Sequence, residues 1–216
     1  RRGHHFVRYA DDCNIYVRSE RAGQRVKASI TKFIEAHLRL RVNEAKSAVA
    51  RPEERHFLGF RLRREPMDGS VDILLSKRSE ERIRDRIAEL TPRNWGGAMR
   101  SCIKGLNRYL SGWLGFFWIC TEATERTLSA LDAHIRRRLR ALQMRQWGSK
   151  CTIAKRLIRL GMRATKAWRS VYDGQKNIWA LSHYPGNTGL RNAYFAELGL
   201  NSLVAQWKSR TQAAMA

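Results

Sequence analysis

The segment Phe6-Val-Arg-Tyr-Ala-Asp-Asp-Cys-Asn-Ile-Tyr-Val17 contains two β-prone runs, residues 6–10 and 13–17, on either side of the acidic pair Asp11-Asp12. Two such runs joined by turn-prone residues predict a β-hairpin. Consecutive residues of a straight strand point to opposite faces of a sheet, so adjacent aspartates can share one site only where the backbone turns sharply between them. We therefore predict that a tight turn brings the carboxylates of Asp11 and Asp12 together.

The residues after this hairpin predict a helix and a second hairpin. Apolar residues at helical spacing favour an amphipathic helix over residues 21–40. Two more β-prone runs, residues 55–62 and 70–75, flank Pro66-Met-Asp-Gly-Ser70, whose glycine favours a turn. The first 75 residues are therefore predicted to form a hairpin, a helix and a hairpin, in that order.

From residue 76 onward the apolar spacing is helical, which predicts a helix bundle. Helices are expected over residues 76–90, 98–120, 122–144, 152–170 and 190–207, and the pattern weakens around Pro185-Gly186-Asn187. The predicted inward positions are Leu128, Leu131, Ile135, Leu139 and Leu142 in one helix, and Ile153, Leu157, Leu160, Ala164 and Trp168 in the next. Trp95, Trp113 and Trp118 are also expected to pack in the core.

These elements predict an α+β protein with a domain boundary near residue 76. Residues 1–75 would form the hairpin-containing domain, residues 76–170 a helical domain, and residues 171–216 a C-terminal helical extension or tail. Four cysteines lie far apart without the paired spacing of a zinc site, so we expect buried or free thiols and a reducing compartment.

The charge of the chain points to a polyanionic partner. Its 216 residues carry a formal net charge of +23, and the sequence pI is about 11.1. Nucleic acid is the natural partner for such a protein. An anionic membrane surface is the competing interpretation, but no apolar run approaches the ~20 residues of a transmembrane helix. We therefore predict nucleic-acid binding and no membrane partner.

Paired carboxylates in a nucleic-acid-binding protein indicate nucleotidyl transfer. Such carboxylates hold divalent ions that activate the attacking 3′-hydroxyl and stabilise the leaving pyrophosphate. Oxygen ligands favour Mg²⁺, with Mn²⁺ as a substitute. An arbitrary Asp-Asp pair is usually only a turn. Here it lies between two β-prone runs of a strongly basic chain, which favours the metal site.

Four motifs carry a resemblance to a known family. Tyr9-Ala-Asp-Asp12 resembles the Tyr-x-Asp-Asp signature of the reverse transcriptase palm, and is most similar to enzymes encoded by group II introns. Arg39-Leu-Arg-Val-Asn-Glu-Ala-Lys-Ser47 and Phe57-Leu-Gly-Phe60 are similar to the two palm motifs that follow it. Leu106-Asn-Arg-Tyr-Leu110, with Gly112-Trp113, resembles the thumb or maturase-specific domain.

The resemblance implies roles for individual residues. Asp11 and Asp12 would hold the catalytic Mg²⁺, while Tyr9 and Ala10 would lie beside the primer terminus and the incoming nucleotide. Lys46 would protonate the leaving pyrophosphate, although an ordinary phosphate-contacting or surface lysine is an equal alternative. The segment made of Phe57, Leu58, Gly59 and Phe60 would grip the primer end, with a plain core strand as the alternative.

Basic residues of the helical half predict an RNA-binding surface. On the predicted helix over residues 152–170 they recur at i, i+4, i+8 and i+11, away from the apolar face. The residues concerned are Arg136, Arg137, Arg138, Arg140, Lys150, Lys155, Arg159, Arg163 and Lys166. A solvated helix face is the alternative, but acidic partners are scarce here, which favours RNA.

The predicted function is that of an RNA-directed DNA polymerase of group II intron type that also binds intron RNA for splicing and mobility. Its partners would be structured intron RNA, an RNA template, a DNA primer and dNTPs, in a bacterial cytoplasmic ribonucleoprotein. The family requires a third carboxylate from an earlier motif, so the sequence as given is expected to be inactive alone. The alternative is a splicing factor that binds intron RNA without polymerising.

Overall fold

The computed structural model describes residues 3–173, 177–183 and 188–215. The chain divides into two compact units, residues 1–76 and residues 77–216. The first contains both hairpins and the second is helical, so the coarse prediction of a mixed protein with hairpins before helices is confirmed. Assignment of these units to a palm and a thumb stays a prediction. Within the described ranges, no helix is both long and apolar enough to cross a membrane.

The first unit has two antiparallel hairpins separated by a helix. Its elements are β1 (His5–Tyr9), β2 (Asp12–Tyr16), α1 (Glu20–Leu38), β3 (Phe60–Arg64) and β4 (Val71–Leu75). Each hairpin is a separate two-stranded sheet, β1 with β2 and β3 with β4. Both predicted hairpins and the intervening helix are therefore confirmed. The third strand begins at Phe60 rather than at residue 55, because the preceding residues form a turn.

Local signals set the ends of α1 and its packing. The Ser19 side chain accepts a hydrogen bond from the Ala22 amide at the N-terminus, and Arg39 ends the helix with a left-handed φ of 52°. At Gly23, a Cβ atom would lie 2.6 Å from Val49 Cγ1, so a larger residue there would displace Val49 from α1. Phe33 and Leu38 are more than half exposed, at 53% and 54%. The apolar face of α1 is thus left partly open.

The second unit is a helix bundle with one continuous core. Its described helices are α2 (Lys77–Leu90), α3 (Met99–Phe117), α4 (Glu125–Trp147), α5 (Lys150–Arg159), α6 (Ala164–Tyr172), α7 (Ile178–Leu181), α8 (Asn192–Glu197) and α9 (Leu203–Met215). All five inward positions predicted for residues 122–144 are buried in α4. Trp95, Trp113 and Trp118 pack against the core as partly buried residues, as predicted.

The predicted single helix over residues 152–170 is wrong. It is interrupted around Gly161, whose φ of +91° favours glycine, so α5 and α6 are separate helices. The break shifts the helical phase: Ala167 and Val171 are the buried residues of α6. Ala164 and Trp168, which the continuous pattern placed inside, are exposed. A helix-favouring apolar pattern across residues 153–164 concealed the interruption.

The last part of the chain belongs to the same core. The predicted helix over residues 190–207 is two helices, α8 and α9, separated at Gly199 with a φ of +94°. Phe195, Leu203 and Trp207 are buried, with 0%, 1% and 3% of their surface exposed. These residues are therefore a structural part of the bundle rather than a tail. The predicted irregular segment Pro185-Gly186-Asn187 lies outside the described residues.

A buried carboxylate fixes the start of α9. Asp132, in the middle of α4, is 5% exposed. Its carboxylate accepts hydrogen bonds from Ser202 Oγ at 2.6 Å and from the Leu203 amide at 2.9 Å. These two donors stand at the N-terminus of α9, where amide groups lack helical partners and the helix dipole favours negative charge. Asp132 thus acts as an N-terminal cap supplied by another helix.

The cysteines are free, as predicted. Cys13 is exposed, Cys102 and Cys120 are buried, and Cys151 is half-buried. Burial raises the pKa of both the Cys102 and the Cys120 thiol to about 11. Both thiols stay protonated at neutral pH and act as small apolar core groups.

Candidate active site and nucleic-acid surface

The first hairpin presents its two aspartates at one end. Tyr9 pairs with Asp12 at the last register position, so the turn consists of Ala10 and Asp11 rather than of the acidic pair. Ala10 has a left-handed φ of 52°, and Arg8 Nε donates to the Ala10 carbonyl at 2.9 Å. The chain reverses immediately before Asp12. Asp11 lies in the turn and Asp12 begins β2, with both residues exposed.

This arrangement fits an oxygen-liganded cation. Two exposed carboxylates on a tight turn offer the hard donors that Mg²⁺ prefers, in a position that a nucleic acid can reach. Across the described ranges, no group of three or more His, Cys, Asp or Glu side chains is arranged to hold a metal ion. Asp11 and Asp12 are thus two neighbouring oxygen donors, fewer than such a group contains.

The loop that carries Lys46 is held in place from both sides. The Lys46 amide donates to Asn43 Oδ1 at 3.1 Å, which closes a local turn. Lys27 Nζ, on α1, donates to Glu44 Oε2 at 2.6 Å and to the Ser47 carbonyl at 3.0 Å. Lys46 itself is exposed. Lys27 is thus a supporting residue that the sequence did not reveal, because it lies 17 and 20 residues from its partners.

The segment Phe57–Phe60 is a tight turn, and the alternative of a plain core strand is wrong. The Phe57 amide donates to the Phe60 carbonyl and the Phe60 amide to the Phe57 carbonyl, each at 2.9 Å. Leu58 and Gly59 both have positive φ, at 51° and 85°, as a two-residue hairpin turn requires. The Gly59 carbonyl also accepts from the Ser76 amide at 2.9 Å. This turn therefore lies against the residue that directly precedes α2.

Two of the predicted RNA-binding arginines have internal roles instead. Arg140 is 6% exposed, and its guanidinium donates to the Leu190 carbonyl at 2.9 Å and to Asn192 Oδ1 at 2.8 Å. Burial lowers the pKa of Arg140 to about 10, so it remains charged. Arg138 binds the end of α2 through Thr91 Oγ1 at 2.6 Å and the Thr91 carbonyl at 2.9 Å. Both belong to the packing of the bundle.

The other seven predicted arginines and lysines remain on or near the surface. Arg136 and Arg137 are half-buried on α4, and the rest are exposed on α5, on α6 or between them. We call this set the basic surface: Arg136, Arg137, Lys150, Lys155, Arg159, Arg163 and Lys166. Because α5 and α6 are separate helices, the last two members do not continue one helical stripe with the others.

Positive charge is concentrated beside the half-buried His134 on α4. Burial lowers the pKa of His134, and the neighbouring Arg138, Arg84 and Arg137 lower it further. The Arg137 guanidinium lies 4.1 Å from the centroid of the Trp179 ring, which is a cation–π contact. Arg84, Arg137 and Arg138 thus concentrate positive charge at this part of α4.

The motif at residues 106–110 has a structural role in the bundle. Leu106 and Leu110 are buried. Between them, Asn107 Nδ2 donates to the Gly199 carbonyl at 2.6 Å, and Asn107 Oδ1 accepts from the Asn201 amide at 3.2 Å. Asn107 thus fixes the loop between α8 and α9.

The chain is similar to two protein families along most of its length. Residues 1–62 match the family model described as reverse transcriptase (RNA-dependent DNA polymerase). Residues 80–161 match the family model described as group II intron, maturase-specific domain. Together the two stretches cover about two thirds of the chain. No curated protein matches it. The first stretch contains Asp11, Asp12 and Lys46, and the second contains α3, α4 and α5.

Proposed function

Because the chain belongs to the group II intron reverse transcriptase and maturase family, we propose that it contributes to an RNA-directed DNA polymerase that also binds intron RNA. The observation that carries this proposal is the first hairpin, which exposes Asp11 in its turn and Asp12 at the start of β2. Its place in the stretch that matches a reverse transcriptase supports a catalytic use of these carboxylates.

Asp11 and Asp12 would hold Mg²⁺ in the polymerase reaction. The bound ion would stabilise negative charge on the attacking 3′-hydroxyl and on the leaving pyrophosphate. The hairpin contributes position: the left-handed backbone at Ala10 and the Arg8 contact to its carbonyl order the turn before substrate arrives. Tyr9 and Ala10, at the same end of the hairpin, would contact the primer terminus and the incoming dNTP.

Lys46 would act on the leaving pyrophosphate, and the 57–60 turn would contact the primer strand. Lys46 would give a proton to the leaving pyrophosphate, and its loop is held by Asn43 and Lys27. The turn made of Phe57, Leu58, Gly59 and Phe60 would support the primer strand. Its positive-φ backbone at Gly59 allows close approach of another backbone.

The basic surface would bind the phosphates of structured intron RNA and promote splicing. Six of its seven members lie on α4, α5 and α6, and α5 and α6 contain no acidic residue. Phosphate contacts by such residues give affinity without reading sequence. A splicing factor without polymerase activity would need only this surface. A polymerase should lose Mg²⁺-dependent primer extension when Asp11 is replaced by asparagine. A splicing factor without polymerase activity should show no such extension with either residue.

Neutralising part of the basic surface should weaken RNA binding and its dependence on salt. Each phosphate contact contributes about 0.7–0.9 to the slope of log affinity against log salt. Replacing Lys155 and Arg159 by alanine should therefore lower the slope by roughly 1.5. The measurement is fluorescence anisotropy of a labelled intron RNA at several salt concentrations.

The matched control is Lys208→Ala. Lys208 Nζ lies 2.7 Å from Glu125 Oε1 on the same unit, so its charge already has a partner. This variant should leave the slope unchanged. An equal slope for the unaltered chain and the Lys155/Arg159 variant would contradict the role of α5 in RNA binding.

A further inference from the structure

Trp168 and Tyr172 form an exposed aromatic pair on α6. They lie one helical turn apart, with ring centroids at 5.8 Å and planes inclined by 29°. Trp168 is 37% exposed and Tyr172 is 52% exposed. The core contacts of α6 come from Ala167 and Val171 instead. The two rings are therefore stacked on each other before any ligand binds, and both can be reached from solvent.

Basic groups surround this pair. Lys150 Nζ, at the start of α5, lies 5.8 Å from the centroid of the Tyr172 ring. Arg169 is exposed and stands three residues before Tyr172, which makes the two side chains neighbours on the helix. Lys166 and Arg163 lie nearby in sequence. Neither α5 nor α6 contains an acidic residue, and Asp173, which directly follows Tyr172, is the single acidic residue among the described residues 150–173. Four basic residues against one acidic residue leave an excess of positive charge beside the rings, which favours an anionic ligand.

We propose that Trp168 and Tyr172 are a stacking platform for unpaired nucleobases of RNA, with Lys150 and Arg169 binding the adjacent phosphates. This inference rests on the proposed binding of RNA. Proteins that bind single strands combine aromatic rings, on which bases stack, with basic groups that follow the backbone. Both components are present here within one pair of helices. The platform lies beyond residue 161, outside both stretches that match a known family.

The ligand is unpaired RNA rather than duplex because only unpaired bases have free faces. In a duplex the base faces are already covered by their neighbours, and its deep, narrow major groove closes the base edges to side chains. Unpaired RNA combines negative charge with flat ring faces that can stack on these two side chains, so it matches both features of the site. The platform therefore predicts tighter binding of unpaired RNA than of duplex RNA. Phosphate contacts alone would not produce this difference.

The test compares a short unstructured RNA with an RNA duplex of the same length. In one variant of the complete chain, Trp168 and Tyr172 are both replaced by leucine, which removes the rings and retains apolar bulk. This variant should bind the unstructured RNA about tenfold more weakly and the duplex almost unchanged. A second variant with phenylalanine at both positions keeps the rings and should retain most of the affinity.

Phe116→Ala is the matched control for loss of an exposed aromatic ring. Phe116 is 51% exposed on α3, in the same unit, and should not affect either RNA. A direct measurement is tryptophan fluorescence: the unstructured RNA should quench the unaltered chain more than a Trp168→Phe variant. Equal quenching in these two proteins overturns the platform.

The outcomes separate this inference from the proposed function. Unchanged affinity of the leucine variant for both RNAs overturns the platform but leaves RNA binding by the basic surface intact. That is also the result expected if the rings serve a protein partner. An equal loss for both RNAs overturns the platform as well. Failure of the unaltered chain to bind either RNA overturns the proposed function and, with it, the platform.

Discussion

Asp11→Asn is expected to reduce primer extension by at least about a hundredfold, since even the residues that support metal ligands cost 10–100-fold when replaced. The substitution keeps the size of the side chain and removes the charge that holds Mg²⁺. The suitable protein is a chimaera in which residues 1–216 follow the upstream domains of an active group II intron reverse transcriptase. Primer extension on an RNA template is measured over a range of Mg²⁺ concentrations. Asp12→Asn should have a similar effect.

Asp68→Asn is the matched control for this experiment. Asp68 is also an exposed aspartate at a hairpin turn, where its Oδ1 atom accepts from the Ser70 amide at 2.9 Å. Asparagine retains that acceptor, so activity should be unchanged. RNA affinity should be unchanged in all three variants. Full primer extension by the Asp11→Asn chimaera would show that these carboxylates do not hold the catalytic metal.

Asp132→Ala should destabilise the second unit by about 3 kcal/mol, because the buried Leu203 amide and the Ser202 hydroxyl both lose their charged acceptor. Ser202 Oγ still accepts from the Ala205 amide at 3.3 Å in this variant, so α9 keeps part of its N-terminal cap. For a unit of this size the melting temperature should fall by roughly 10 °C. Thermal unfolding followed by circular dichroism measures the change. Asp132→Asn keeps one acceptor oxygen and should have a smaller effect.

Asp85→Ala provides the comparison for Asp132. Asp85 is exposed on α2, so its loss should change stability by less than about 0.5 kcal/mol. If the Asp132→Ala and Asp85→Ala variants have the same melting temperature, the contacts to Ser202 and Leu203 do not stabilise the unit. Hydrogen exchange of the α9 amides would then show whether the helix start opens without affecting the rest.

Elements with a strong local pattern were predictable. The strands around Asp11 and Asp12 alternate and meet at a turn, and this information is contained in a dozen neighbouring residues. The apolar face of α4 likewise follows from helical spacing alone. The turn at residues 57–60 was missed because Phe57 and Phe60 are strand-prone. Its geometry depends on positive φ at Leu58 as well as at Gly59.

Features that depend on distant partners were not predictable. Arg138 and Arg140 flank Leu139 on α4 and looked like members of a surface stripe. Their partners lie 47 to 52 residues away along the chain, so no local pattern could show that they are internal. The exposure of Trp168 depended in the same way on the interruption at Gly161. One glycine in an otherwise helical sequence is a weak signal when its backbone angle is unknown.

The contacts that hold the start of α9 also determine when the core of the second unit can form as the ribosome synthesises the chain. Asn107 and Asp132 meet their partners 92 and 70 residues later in the chain. The Trp207 indole donates to the Trp118 carbonyl across 89 residues. Contacts between residues so distant in sequence form late, because a long loop must first be closed. Until residues 199–207 have left the ribosome, Asn107, Asp132 and the Trp118 carbonyl lack these partners, so the core of the second unit stays incomplete until that segment is available.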